Sequence, residues 1–229
     1  MKTIARIRSV FPEKFGIPHQ SGCIESLEAR VVFEPEYRNP DAVRGLEEYD
    51  YIWLIWGFSA NRKAEWSPTV RPPRLGGNQR VGVFATRSPY RPNPIGLSSV
   101  RLLRTEISPK EGPVLVVDGA DLMDGTPIYD IKPYIRQDIH TEIRAGFTDR
   151  REMPHLQVEF PEDLLREIPA ELRKPLKELL ARDPRPRYHN DPERIYGMPF
   201  DRFDIHFRVE EGVLLVTGIG PGAAPSCQI

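Results

Sequence analysis

The sequence predicts a mainly β protein, an antiparallel sheet or barrel followed by a smaller α+β unit, and three observations lead there. Short apolar runs recur at near-regular spacing through the first two-thirds of the 229 residues, separated by turn residues. Few helical stretches lie between them, whereas a parallel sheet needs a long crossover connection for each strand. After about Tyr134 the pattern changes to one extended helical stretch and a closing hairpin.

Taken in order, Thr3 to Val10 alternates through Ile4, Ala5, Ile7 and Val10, the period-2 signature of a half-buried strand. Ala29 to Phe33 is β-branched, and Tyr51 to Phe58 (YIWLIWGF) is a continuous apolar and aromatic run of strand length. Further strands are expected at Val81 to Ala85, Ser98 to Ile107, Val114 to Val117 and Ile128 to Ile131. The helical candidate in this part is Asp41 to Tyr49, with Asp41 placed to cap it after Pro40. Arg136 to Arg151 is polar, aperiodic and contains Gly146, as a connecting loop does. Beyond it come a strand at Leu156 to Phe160 and a helical stretch from Glu162 to Arg182, whose leucines recur at helical spacing. Pro169 and Pro175 should break or kink that stretch, because proline removes a helical donor and clashes with the preceding turn. A hairpin follows, Phe203 to Val209 returning through Glu210-Glu211-Gly212 into Val213 to Thr217, and Gly218 to Ile229 reads as a loose terminus.

At 39% hydrophobic and 28% charged, the chain has enough apolar residues to bury a core. It contains no apolar run near the ~18 residues of a membrane span, and its N-terminus becomes charged too soon for a secretory segment. A cytoplasmic location is the default expectation. Cys23 and Cys227 stand at opposite ends and read as free thiols. The net charge of -1 argues on average against a nucleic-acid partner, but the average conceals a local excess. Between Trp66 and Thr105 lie Arg71, Arg74, Arg80, Arg87, Arg91, Arg101 and Arg104 without one Asp, Glu or Lys. Guanidinium groups grip phosphate or carboxylate with two parallel hydrogen bonds and stack on bases.

Those arginines sit in Pro68 to Gly77 (PTVRPPRLGG), Val81 to Ser88 (VGVFATRS) and Arg91 to Gly96 (RPNPIG). Proline and glycine in that mixture specify rigid, non-repetitive loops, either a preorganised site or simple solvated connections. Asp118 to Pro127 (DGADLMDGTP), with Asp130 beyond, admits three readings: a metal site, a turn with Asp118 capping a strand, or carboxylates facing a cationic ligand. The run lacks the ligand order of a calcium loop and has no neighbouring histidine, so no metal is expected. His19, His140, His155, His189 and His206 show no paired metal-ligand spacing; His206 alternates into a strand, and His19 lies in a polar turn open to either a functional or a structural role.

Several segments together carry a resemblance: Arg8-Ser9 with Glu13 to Gln20 (EKFGIPHQ), Asp41 to Leu46 (DAVRGL), the three arginine loops, Asp121 to Tyr134, and Asp183 to Tyr188 (DPRPRY). In this order they resemble the TrmO (YaeB-like) family of tRNA N6-threonylcarbamoyladenosine methyltransferases. The resemblance implies a single-sheeted antiparallel β-barrel catalytic domain over residues 1–140 and a small α+β C-terminal domain over 141–229. It further implies a homodimer, S-adenosylmethionine as methyl donor and the tRNA anticodon loop as partner. Carried over by residue, it implies a cofactor held by Pro18, His19 and Gln20, by Ser59 and Ala60, by Arg87, by Leu97, and by Asp121, Leu122, Met123 and Asp124. Ser59-Ala60 stand where many relatives carry His-Gln, and His19 where an arginine is common.

Methyl transfer to the exocyclic nitrogen of adenine is an in-line displacement, so alignment supplies much of the rate and no covalent enzyme intermediate is needed. The nitrogen must shed a proton, for which Asp121, Asp124 and Asn93 are the candidates. Arg71, Arg74 or Arg91 could read the threonyl carboxylate bidentately, and Arg185 and Arg187 could contact phosphates. Two rivals remain at this level: a non-catalytic RNA-binding barrel, which would bind no S-adenosylmethionine, and a metal-dependent hydrolase built on Asp118, Asp121 and Asp124, which chelators would abolish.

Overall fold

The structure, a computed structural model, describes residues 1–24, 26–60, 66–72, 75, 79–150, 155–185 and 191–222. Six antiparallel strands form the first sheet: β1 (Ala5–Arg8), β2 (Glu28–Phe33), β3 (Tyr51–Gly57), β6 (Ile95–Ser108), β7 (Gly112–Asp118) and β8 (Pro127–Pro133). Their order is β1-β2-β7-β6-β3-β8, and β8 pairs back on β1 through Ala5 opposite Ile128, so each strand has two neighbours. The inward residues are those that alternation predicts: Ala5 and Ile7, Ala29 and Val31, Ile52, Leu54 and Trp56, Val100 and Leu102, Leu115 and Val117 pack into one buried core. β4 (Thr69–Val70) and β5 (Val81–Gly82) form a small separate hairpin within the long β3 to β6 connection.

Two expectations fail locally. The strand expected over Val81 to Ala85 stops at Gly82, and Val83–Ala85 turns as a 3-10 helix that buries Val83 and leaves Phe84 exposed. Asp41 to Tyr49 is two single 3-10 turns, Pro40–Val43 and Leu46–Glu48, parted by Gly45 at φ 83°. That left-handed residue cannot continue a right-handed helix. The cap is Asn39, whose side chain accepts from the Asp41 backbone N–H.

The second sheet has the order β10-β11-β12-β9: β10 (Tyr196–Phe200), β11 (Phe203–Glu210), β12 (Val213–Pro221) and β9 (Gln157–Glu159). Pro169 divides the helical stretch into α1 (Glu162–Glu167) and α2 (Ala170–Ala181). Pro175 does not end α2; its ring is buried beside Leu176, Leu179 and Leu180, whose burial against the sheet holds the helix across one missing donor. β10 was not anticipated, and the first part of the segment read as a loose tail, Gly218 to Pro221, continues β12. Gly218, Ile219, Gly220 and Pro221 pair with His206, Ile205, Asp204 and Phe203. Gly218 and Gly220 lack the side chains that signal a strand; on the facing β11, His206 pairs with Asp204 at 3.0 Å.

The second core contains three residues from far upstream: Phe11, Ile24 and Leu27 are buried with Met198, Phe200, Ile205 and Leu176, and Val10, Phe15 and Ile17 pack against them. Met198 lies directly over Gly16, and the Asp201 N–H donates to the Val10 carbonyl at 2.6 Å. The described residues of the 9–27 segment, which joins β1 to β2, thereby pack between the two sheets.

Candidate active site

Antiparallel order alone gathers the predicted residues. β1, β3 and β7 run towards one rim of the first sheet and β2, β6 and β8 run away from it, so the β1–β2, β3–β6 and β7–β8 connections all emerge there. Pro18 to Gln20, Ser59 and Ala60, the arginine loops, Asn93 and Asp121 to Asp124 all belong to these three connections.

The connections are tied to one another by hydrogen bonds. Gly22 N–H donates to the Gly119 carbonyl at 2.8 Å. Gly119 has φ 73°, and a Cβ there would lie 3.1 Å from Gly22 Cα and N, so both backbone shape and space require glycine. Ser9 Oγ donates to the Leu122 carbonyl at 2.8 Å, and Ser9 N–H donates to Asp124 Oδ1 at 3.1 Å. Phe58 N–H donates to the Pro94 carbonyl at 3.0 Å, joining the two ends of the β3 to β6 excursion. Lys14 Nζ donates to the Ala60 carbonyl at 2.6 Å, which brings the 58–60 segment to the 9–27 loop.

Asp121 stands at the meeting point. Its Oδ1 accepts from Ser98 Oγ at 2.6 Å, and Ser98 Oγ in turn accepts from Trp56 Nε1 at 3.0 Å. Burial raises the Asp121 carboxyl above the usual range, opposed by the Ser98 hydroxyl, its own and the Ser21 backbone N–H groups, and the charge of Arg87. Arg87 Nη1 also donates to Gln20 Oε1, so the guanidinium whose charge acts on Asp121 is tied to the 18–20 segment.

The other predicted residues separate by environment. Asp124 is buried and its carboxylate serves the Ser9 N–H, a structural tie. Leu122 is buried in the core, Met123 and Pro18 are half-buried, and His19 and Ser59 are exposed. Asn93 is exposed just before β6, where its carbonyl accepts from the Ile95 N–H. Leu97 is exposed on the outer face of β6, opposite to Ser98, so only its backbone belongs to the rim. Asp118 settles into the capping role, accepting from the Ser26 and Leu27 N–H groups at 3.1 and 2.9 Å. Among the described residues no group of three or more His, Cys, Asp or Glu side chains gathers.

The acid-free arginine run is not acid-free in space. Arg104 pairs with Glu28 and Glu106 from β2 and β6, and Arg91 Nη1 donates to the Thr86 and Ser88 carbonyls, bracing its own loop. Arg185 forms a two-pronged pair with Asp183 at 2.8 and 2.9 Å and is largely buried. Arg71 and Arg80 are exposed on the β3 to β6 excursion; Arg74 and Arg187 lie outside the described residues. Ser9, Lys14, Trp56 and Ser98 were given no site role from the sequence, although Ser9 and Lys14 lie in segments that carry the family resemblance. Ser98 was findable, being polar at an inward position of the set Ser98, Val100 and Leu102.

Residues 6–138 match the tRNA-methyltransferase O N-terminal domain, and residues 153–222 match the TrmO C-terminal domain. The chain belongs to the TrmO family. It is 37% identical over 227 residues to the tRNA (adenine(37)-N6)-methyltransferase of Escherichia coli strain K12, covering 95% of this chain and 96% of that protein. It is 40% identical over 213 residues to a putative S-adenosylmethionine-dependent methyltransferase, RcsF, of Pseudomonas aeruginosa, covering 89% and 90%. The crystal structure of TrmO from Pseudomonas aeruginosa superposes with a TM-score of 0.77 at 32% identity, covering 96% of both chains. Both TrmO segments contribute to the second core, since Phe11, Ile24 and Leu27 come from the N-terminal one.

Proposed function

We propose that this chain transfers a methyl group from S-adenosylmethionine to N6 of threonylcarbamoyladenosine at position 37 of the tRNA anticodon loop, as a cytoplasmic homodimer. As a member of its family, it is an S-adenosylmethionine-dependent tRNA adenine-N6 methyltransferase. The threonylcarbamoyl substrate, the residue roles and the assembly belong to the proposal and go beyond family membership. In that reading residues 1–140 form the catalytic barrel and 141–229 a small C-terminal domain.

The observation that carries it is the meeting of Asp121, Gln20, Ser21 and Arg87 at one rim. The residues present suit a sulfonium cofactor: a partly buried carboxylate whose charge is under-solvated gains from a nearby cation. Pro18, Gln20, Arg87 and the Asp121 to Asp124 backbone would hold that cofactor, which when bound supplies an electrophilic methyl group. Asp121 accepts the proton that leaves N6, because its anionic form is a hydrogen-bond acceptor only and burial raises its affinity for a proton. Arg71, exposed on the β3 to β6 connection, would read the threonyl carboxylate, and an unstacked anticodon-loop base reaches such a pocket without melting a helix.

The homodimer is supported by an apolar outer face. Tyr51, Trp53 and Ile55 on β3, Leu97 on β6, and Tyr134, Ile135 and Ile139 beyond β8 form a partly exposed aromatic and aliphatic patch. The test is methyl transfer to two purified tRNAs, one bearing threonylcarbamoyladenosine and one with plain adenosine at position 37, followed by nucleoside mass spectrometry. A gain of one methyl on the first tRNA alone is expected. Equal methylation of both would remove the substrate assignment, and none on either would remove the reading.

A further inference from the structure

A chain of hydrogen bonds runs from the sheet interior to the rim: Trp56 Nε1 to Ser98 Oγ at 3.0 Å, then Ser98 Oγ to Asp121 Oδ1 at 2.6 Å. Its direction follows from the donors available. An indole nitrogen only donates, so one lone pair of the Ser98 oxygen is committed to Trp56. Ser98 is 1% exposed, which leaves its single proton no water to meet, and Asp121 is the acceptor the structure offers it. A hydroxyl donating to an ionised carboxylate makes a stronger bond than one donating to a neutral carboxyl, so the Ser98 bond weakens when Asp121 takes up a proton. The arrangement therefore favours the carboxylate over the carboxylic acid.

Trp56 is itself held in place. A Cβ on Gly96 would lie 2.2 to 2.6 Å from atoms of the indole ring, so the ring occupies the space above that glycine, and Phe58 packs against it with centroids 4.4 Å apart. The indole cannot turn away from Ser98 without a void or a clash.

We infer that Ser98, oriented by Trp56, is a positioning residue that keeps Asp121 in its proton-accepting form for removal of the N6 proton. This rests on the role proposed above for Asp121. As the carbon–nitrogen bond forms and the carbon–sulfur bond breaks, its electron pair remains on sulfur; the N6 proton passes to the Asp121 carboxylate and from there to water. Burial pushes the Asp121 carboxyl up, and the Ser98 hydroxyl is the largest influence opposing that rise. Removing it should raise the value further.

The test uses the full chain in two measurements. In the first, Asp residues carry a 13C-labelled carboxyl group and the Asp121 titration is followed by NMR, its signal assigned by its loss in Asp121→Asn. Ser98→Ala should move the midpoint up by about one pH unit; Trp56→Phe should move it in the same direction by less, and Ser98→Thr should restore it. In the second, the acid limb of the pH–rate profile for methyl transfer should shift with the NMR midpoint, with the change in kcat rather than in KM for S-adenosylmethionine. An unmoved or lowered midpoint in both Ser98→Ala and Trp56→Phe overturns the inference while leaving the methyltransferase reading intact. A raised midpoint with an unshifted acid limb overturns the role in proton removal. Should the wild type transfer no methyl group while the midpoint still rises, the function reading and the role in catalysis both fall, and the hydrogen-bond chain is only structural.

Discussion

Gly96→Ala should destabilise the first sheet through one neighbour, Trp56. The added methyl would stand 2.2 Å from Trp56 Cε2 and 2.3 Å from Cζ2. Normal carbon contacts are about 3.5 Å, so the ring must retreat by on the order of 1 Å within a packed core. Overpacking of this kind costs about 1–3 kcal/mol, and weakening the indole bond to buried Ser98 adds about 1 kcal/mol. Alanine recovers about 0.5–1 kcal/mol over glycine in a strand, leaving a net loss of about 1–3.5 kcal/mol. The assay is urea unfolding followed by far-UV circular dichroism, run as a double-mutant cycle with Trp56→Leu. A leucine at 56 frees the space, so the alanine should cost little or nothing in that background. If the two substitutions are simply additive, the contact with Trp56 is not the reason glycine stands at 96.

Met198→Ala should lower stability by about 2–4 kcal/mol as a fully buried large-to-small change. Because Met198 packs on Gly16, it should also weaken S-adenosylmethionine binding measured by titration calorimetry; unchanged affinity would mean that the second sheet does not position the 9–27 loop. Arg104 holds the Glu28 and Glu106 carboxyls below their ordinary range, chiefly by hydrogen bonding to each. Depressed acids contribute stability above the unfolded value of about 4.3 and lose it as pH falls through the folded values. The wild-type advantage over Arg104→Met in urea midpoint should therefore shrink between about pH 6 and pH 3, and a constant gap would exclude this linkage. Arg71→Gln should weaken tRNA binding in filter-retention assays and flatten its salt dependence by about one unit of slope if the side chain meets a phosphate. A lower affinity for threonylcarbamoylated tRNA alone, with the slope unchanged, would point to the threonyl carboxylate instead.

The strands were legible wherever one inward face repeats: Ile52, Leu54 and Trp56 on β3, or Val100 and Leu102 on β6, announce themselves by period alone. The local motifs were legible too, because Pro, Gly and Arg in fixed order constrain a loop whatever surrounds it. Tertiary structure decided what those residues face. Arg104, Arg91 and Arg185 looked uncommitted along the chain, yet Arg104 meets Glu28 on β2, Arg91 the Thr86 and Ser88 carbonyls, and Arg185 the Asp183 carboxylate two residues before it. β12 runs on through Gly218 and Gly220 because β11 supplies its hydrogen bonds, a property no side chain there encodes. Ser98 belongs to Asp121, 23 residues away, only because antiparallel order returns both connections to one rim. Chemistry of residue type and spacing is local and can be read from the sequence; the pairing of a buried donor with its acceptor depends on which strands become neighbours, and that is fixed only when the sheet assembles.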